Sequence, residues 1–169
     1  KKPAFLAQLE VTFADGSTQT IATDDTWKSH DSPILASDFM LGEDYDSRLE
    51  IKNWDQPGLD ESQWIPVAVR NESSRKLESQ VMEPVRQLAE LKPKKITEPQ
   101  PGSWVYDLGQ NMVGVVRLKV SAPAGTTVTL RHAEMLNPDG TIYTKNLRTA
   151  ISTDHYVCQG DGVDPAGGV

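Results

Sequence analysis

Phe5, Ala7, Leu9, Val11 and Phe13 alternate with Leu6, Gln8, Glu10 and Thr12, a period of two that predicts a half-buried strand. Ala14-Asp15-Gly16-Ser17 follows with turn chemistry, because Gly16 tolerates positive φ, and residues 18–23 around Ile21 return as the hairpin partner. Residues 31–64 carry little periodicity and much punctuation, with Asp31-Ser32-Pro33, Leu41-Gly42-Glu43 and Pro57-Gly58. That pattern predicts connecting loops anchored by Trp54 and Trp64. Ile65-Pro66-Val67-Ala68-Val69 reads as a short strand, residues 71–80 as an exposed loop or one helical turn, and residues 85–96 as another extended stretch.

Thr97-Glu98-Pro99-Gln100-Pro101-Gly102 predicts a stiff, solvated connection, which divides the chain into modules 1–96 and 97–169. Beyond it Trp104 to Leu108, Met112 to Val120, a strand beginning at Val128 and Leu130, Ile142-Tyr143 and Asp154 to Cys158 read as strands. Turns at Ala122-Pro123-Ala124-Gly125 and Asn137-Pro138-Asp139-Gly140 separate them. The tail from Gly160 is flexible in composition. No segment longer than about ten residues has helical periodicity, so the expected fold is all-β, two jelly-roll-like β-sandwich modules. The second module has few strands for a closed sandwich, which predicts an unpaired sheet edge through which copies self-associate.

Composition narrows the function classes. The 169 residues carry 17 Lys plus Arg against 24 Asp plus Glu, a net charge of −7 that disfavours nucleic acid and anionic membranes as partners. No apolar run approaches the roughly 20 residues that span a bilayer. Cys158 stands alone, which excludes an intrachain disulfide and a cysteine-based zinc cluster. The chain opens on Lys-Lys-Pro with no signal-peptide pattern and reads as a piece of something longer.

Among residues able to carry chemistry, the densest group is Glu43, Asp44 and Asp46 around Tyr45, with Arg48 two positions on. Carboxylates and a guanidinium make charge-assisted hydrogen bonds that fix hydroxyl groups, and a tyrosine stacks on a sugar face. These five residues are the candidate carbohydrate site. The competing reading is a loop whose acids pair with Arg48 and cap neighbouring backbone. Trp27, Trp54, Trp64 and Trp104 invite the same sugar-stacking idea, against the alternative of core plugs with satisfied N–H groups. His132 sits on the apolar side of a strand pattern and is expected to be a satisfied, partly buried imidazole. EF-hand spacing, a Gly-x-Ser-x-Gly elbow and a phosphate loop leading into a helix are absent from the sequence, so no catalytic residue or metal ligand is assigned.

A resemblance then emerges. Residues Leu6-Ala7-Gln8-Leu9-Glu10-Val11-Thr12-Phe13-Ala14-Asp15-Gly16-Ser17, Thr23-Asp24-Asp25-Thr26-Trp27, Gly42-Glu43-Asp44-Tyr45-Asp46-Ser47-Arg48 and the aspartate and tryptophan turn at residues 54–64 resemble the N-terminal module of bacterial α-L-rhamnosidases of glycoside hydrolase family 78. Tyr106-Asp107-Leu108-Gly109-Gln110-Asn111, Ala133-Glu134-Met135-Leu136-Asn137-Pro138-Asp139-Gly140 and Asn146-Leu147-Arg148 are similar to the β-sandwich module that follows it. The resemblance implies a parent enzyme that removes terminal α-L-rhamnose from glycosides by inversion, with both catalytic acids in a C-terminal (α/α)₆ barrel. No such helical stretch occurs here, so this chain is expected to be inactive alone, lacking the first strands of one module and the end of the other. Its expected partners are that barrel and, through it, rhamnose-containing glycosides. Some relatives bind rhamnose with calcium, and those ligands map to no position of this sequence. The alternative is a stand-alone module that recognises L-rhamnose or a related sugar through residues 42–48.

Overall fold

The computed structural model describes residues 4–70 and 76–160, together with the backbone of Asp164 and Pro165. Strands β1 (Gln8–Thr12), β2 (Thr18–Ala22), β3 (Lys28–Ser29), β4 (Ile34–Asp38), β5 (Gly42–Asp46) and β6 (Ile65–Pro66) occupy the first half. They are followed by β7 (Lys95–Gln100), β8 (Ser103–Asp107), β9 (Lys119–Val120), β10 (Thr127–Arg131), β11 (Met135–Leu136), β12 (Ile142–Tyr143), β13 (Thr153–Val157) and β14 (Asp164–Pro165). Among the described residues there is no α-helix, only the 3₁₀ turns Ser47–Leu49 and Lys145–Leu147. The chain is all-β, with sandwich-type sheets, as its alternation and turn chemistry predict.

The chain separates into two units that interleave in sequence. The first comprises residues 1–31 and 53–81. Its β1–β2 hairpin has the register Gln8↔Ala22 through Thr12↔Thr18. Gly16 closes the turn at φ 83°, where a side chain is strained, and its N–H donates to the Phe13 carbonyl at 2.9 Å. Asp15 Oδ1 accepts from the backbone N–H and the hydroxyl of Ser17 at 2.9 and 2.6 Å. A second antiparallel pair joins β3 to β6, with Lys28↔Pro66 and Ser29↔Ile65.

The second unit comprises residues 32–52 and 82–169. Its main sheet runs in the order β10-β13-β5-β4. The outer pairs are antiparallel, whereas β13 and β5 run parallel with His155↔Asp44, Tyr156↔Tyr45 and Val157↔Asp46. Hydrogen bonds extend the seam at both ends: Thr153 N–H donates to the Leu41 carbonyl at 3.0 Å, and the Ser47 side-chain hydroxyl donates to the Val157 carbonyl at 2.7 Å. The most buried side chains among the described residues lie here, Cys158 at 0%, Ser47 at 1%, Asp46 at 6% and Tyr156 at 7% exposed. Gly42 begins β5 at φ 116°, and a Cβ there would collide with the Thr153 carbonyl. The hairpins β7–β8 and β11–β12 and the short pair β9–β14 complete this unit.

Four local expectations are corrected. Residues 31–64 are not all connecting loop, because β4 and β5 lie inside them. The proline-rich stretch at residues 97–102 is extended, as expected, but it is a paired strand rather than a mere connection: it forms the end of β7 and the turn into β8, with a register shift between Thr97 and Gln100 around Pro99. Residues 85–94 contain no strand, and Met112 to Val120 contributes only the two residues of β9. In both stretches the alternation is real, but outside β9 neither is paired into a sheet among the described residues, and Val85 and Val113 stand fully exposed. The loop expected at 71–80 lies partly outside the described residues, as does most of the tail, within which Asp164 and Pro165 pair with β9.

Candidate functional site

The candidate residues Glu43, Asp44, Tyr45 and Asp46 form strand β5, and Arg48 lies in the 3₁₀ turn after it. A strand sends successive side chains to opposite faces, so these residues do not converge on one point. Glu43 and Tyr45 share one face, while Asp44 and Asp46 take the other. The sequence presents one acidic cluster, and the fold divides it.

On the first face Tyr45 stacks on Tyr156, with ring centroids 5.5 Å apart and planes 7° from parallel. The Tyr45 hydroxyl donates to Glu50 Oε1 at 2.9 Å. Burial, reinforced by that carboxylate, pushes the Tyr45 phenol above its ordinary range, which keeps it a neutral donor. Asp154 Oδ1 accepts from the Glu43 backbone N–H at 2.9 Å, and its Oδ2 lies 2.8 Å from His132 Nε2. Ser37 donates its hydroxyl to Glu43 Oε2 at 3.3 Å. His132 is thus a satisfied, half-buried imidazole, as its place in the strand pattern predicts.

On the opposite face Asp44 Oδ1 lies 2.7 Å from His155 Nδ1. Asp46 accepts from Arg48 Nε at 2.8 Å and Nη2 at 2.6 Å, a two-pronged pair, and also from the Arg48 backbone N–H at 3.1 Å. The Arg48 hydrogen bonds hold the Asp46 carboxyl below the ordinary aspartate value. With both its oxygens engaged and its side chain buried, Asp46 fixes the end of β5. The competing sequence reading, acids that pair with Arg48 and cap backbone, describes Asp46 and Arg48; it does not describe Glu43 or Asp44.

Sequence reasoning left Asp154, Tyr156 and Ser37 out of the site. Tyr156 and Asp154 lie 111 residues from their partners on β5, and nothing in local periodicity marks a parallel pairing at that separation. Other acids are accounted for by turns. Asp24, Asp60 and Asp139, like Asp15, accept from a Ser or Thr two residues ahead, which lowers their carboxyl pKa and occupies them structurally. Among the described residues no group of three or more His, Cys, Asp or Glu side chains is placed to hold a metal ion. No helix of the described residues is long and apolar enough to cross a membrane.

Three tryptophans meet elsewhere. Trp27, Trp54 and Trp64 line one cavity in the first unit, whereas Trp104 lies on β8. Trp54 at 67% and Trp27 at 38% exposed are not core plugs, whereas Trp64 is half-buried.

Comparison with known proteins agrees with this architecture. Residues 1–89 match the alpha-L-rhamnosidase N-terminal domain, and residues 97–166 match the bacterial alpha-L-rhamnosidase concanavalin-like domain. An alpha-L-rhamnosidase of Streptomyces avermitilis is 52% identical over 163 residues, 96% of this chain and 16% of that protein. One of Formosa agariphila is 43% identical over 164 residues, 96% of this chain and 18% of that protein. Among solved structures, the Streptomyces avermitilis alpha-L-rhamnosidase complexed with L-rhamnose superposes with a TM-score of 0.88 at 51% identity, over 94% of this chain and 16% of that one. The alpha-L-rhamnosidase from Dictyoglumus thermophilum gives 0.88 at 36% identity, over 96% and 19%. The chain therefore spans less than a fifth of the length of these relatives, and it belongs to the α-L-rhamnosidase family through the N-terminal domain and the concanavalin-like domain that follows it.

Proposed function

We propose that this chain is a non-catalytic β portion of an α-L-rhamnosidase, a hydrolase that removes terminal α-L-rhamnose by inversion, and that it supports and helps shape the substrate site of the longer polypeptide. The observation that carries the reading is the near-complete match of this chain to a small fraction of each relative. The exposed apolar faces support it. Leu9, Ile21, Leu35, Phe39 and Trp104 stand well open on strands and turns that in a finished enzyme would be packed against further polypeptide. The polar groups around β5 support it from the other side: they hydrogen-bond to one another, with no pair of free carboxylates facing across an open cleft as glycoside cleavage requires.

We further propose that the module boundary near residue 97 is a division of sequence rather than of structural units. Strand β5, from the first module, pairs with β13, from the second. The test is a chimaera in which this chain replaces the corresponding residues of the Streptomyces avermitilis relative. Hydrolysis of an aryl α-L-rhamnoside at a rate of the same order as the parent is expected. A soluble, folded chimaera without activity would overturn the supporting role. The second reading, sugar binding through Glu43, Asp44, Tyr45, Asp46 and Arg48, is disfavoured because those side chains are split between two faces.

A further inference from the structure

Glu83 to Pro93 runs extended, without bend or turn, and the Lys94 N–H donates to the Asp107 carbonyl at 2.8 Å, so the segment leads directly into the β7–β8 hairpin. Its central part alternates as a strand does: Val85, Gln87, Ala89 and Leu91 take one face, Arg86, Leu88 and Glu90 the other. Yet from Val85 to Lys92 no main-chain N–H or carbonyl hydrogen-bonds to a described residue. Val85 is 101% and Leu88 93% exposed. Arg117 Nη1 donates to Glu90 Oε2 at 2.5 Å, with both side chains about 60% exposed, the one hydrogen-bonded side-chain contact of this stretch among the described residues. An extended segment with its main-chain donors and acceptors unmet is a template for another strand. Pro84 and Pro93, which have no N–H, bound the template and leave residues 85–92 between them.

The sequence of that template is complementary to itself. Antiparallel pairing about a two-fold axis at Leu88 sets Arg86 opposite Glu90 of a second copy, twice by symmetry, with Leu88 opposite Leu88 and Val85 opposite Leu91. Moving the axis to Gln87 sets Arg86 opposite Leu88, and moving it to Ala89 sets Arg86 opposite Lys92, a like charge. The charges therefore select one register. Glu83 and Glu90 balance Arg86 and Lys92, so this strip is neutral in a chain of net charge −7, and two copies meet along it without the repulsion of the whole. We propose that residues 85–92 pair antiparallel with the same residues of a second copy and join the chain into a symmetric dimer. Arg117 engages Glu90 at Oε2, which leaves Oε1 for Arg86 of the second copy. Strand β4, an edge of the main sheet, is a poorer template, because its register shifts between Ile34 and Ala36 and such irregularity blunts edge pairing. One strand pair is small for a protein interface, so the dimer is weak and reversible. The inference goes beyond the proposed function and stands or falls independently of what the parent polypeptide hydrolyses.

The test is the mass of the 169-residue chain in solution, followed by sedimentation and light scattering from about 5 to 500 µM, the range of a weak interface. A reversible shift from monomer to dimer that stops at two copies is expected. Arg86→Glu and Glu90→Arg each set like charges opposite one another at both ends of the ladder, and each should weaken dimerisation by about tenfold or more. An equimolar mixture of these two variants should dimerise again, because every opposed pair is then of opposite sign. Leu88→Cys should cross-link to itself under mild oxidation about tenfold faster than Lys76→Cys, whose site is 84% exposed but lies off the ladder, and Cys158, at 0% exposed, does not compete. A chain with folded circular dichroism that stays monomeric throughout the range overturns the proposal, as does open-ended association beyond two copies. A dimer that survives both charge variants, or a mixture of them that fails to dimerise, also overturns it.

Discussion

Tyr45 and Tyr156 lie face to face, with ring centroids 5.5 Å apart, across two parallel strands whose sequence positions differ by 111 residues. This pair joins the segment matched by the N-terminal domain to the segment matched by the concanavalin-like domain. If the stack stabilises the seam, a double-mutant cycle of Tyr45→Leu and Tyr156→Leu should give a coupling free energy of about 1 kcal/mol by urea denaturation. Additive effects would show that the rings are neighbours without mutual stabilisation.

Gly42 tests the same seam through its backbone. It holds φ 116°, and a methyl group there would overlap the Thr153 carbonyl, so the strand must shift or the local backbone must strain. Gly42→Ala should destabilise the chain by roughly 3 kcal/mol or more, read as a lowered denaturation midpoint. Gly58→Ala is the matched control: Gly58 also has positive φ, at 88°, but has open space around its Cβ direction, so its cost should be confined to the conformational strain of roughly 1 kcal/mol.

Ser47 is 1% exposed and its hydroxyl donates to the Val157 carbonyl at 2.7 Å. Ser47→Ala leaves that carbonyl without this donor in a buried position. A loss of about 1 to 2 kcal/mol is expected in equilibrium unfolding. Ser47→Cys, which keeps the size of the site and only a weak donor, should recover part of it.

The Asp46–Arg48 pair sets an acid limit. The folded chain holds the Asp46 carboxyl below the ordinary aspartate value of 3.8, chiefly through the Arg48 hydrogen bonds. A group with a depressed folded pKa binds fewer protons folded than unfolded, so its stabilising contribution is complete above about pH 4 and is lost as pH falls through the folded value. Asp15, Asp24, Asp60 and Asp139 act in the same direction through their turn hydrogen bonds. Thermal midpoints should therefore fall as pH drops below about 4. Asp46→Asn should lower the midpoint at pH 7 and make its decline on acidification shallower, while an unchanged acid profile would remove Asp46 from the linkage.

Much of the fold was legible in sequence where its cause is local. Leu9, Val11 and Ile21 alternate across a turn whose Gly16 requires positive φ, and the β1–β2 hairpin forms there. Asn137-Pro138-Asp139-Gly140 likewise marks the β11–β12 turn, where the Asn137 N–H donates to the Thr141 carbonyl at 2.8 Å. Strand β5 was hidden because Gly42-Glu43-Asp44-Tyr45-Asp46 has no apolar alternation, and its burial comes from β13, far along the chain. Strand propensity describes a residue's fit to its neighbours on a sheet, and those neighbours are not adjacent in sequence. For the same reason the acidic cluster looked like one site: five nearby letters do not reveal that the strand period divides them. The tryptophans were visible, but not their meeting place, because Trp27 and Trp64 are brought together by the β3–β6 pairing.

The parallel seam also predicts what separation would do. A chain of residues 97–169 alone retains β10 and β13 but loses β5 and β4, so β13 becomes an edge and Tyr156 and Asp46's partner strand surface are uncovered. That fragment should show no cooperative unfolding transition, whereas a chain of residues 32–169, which keeps all four strands, should unfold cooperatively. Cooperative unfolding of 97–169 by itself would make the two sequence modules independent folding units.

The most direct measurement of the central claim is hydrolysis of an aryl α-L-rhamnoside by the purified 169-residue chain, with the full-length Streptomyces avermitilis relative as positive control. The account predicts chromophore release by the control and none above background by this chain at any enzyme concentration. Turnover that co-purifies with the chain and scales with its concentration would contradict it.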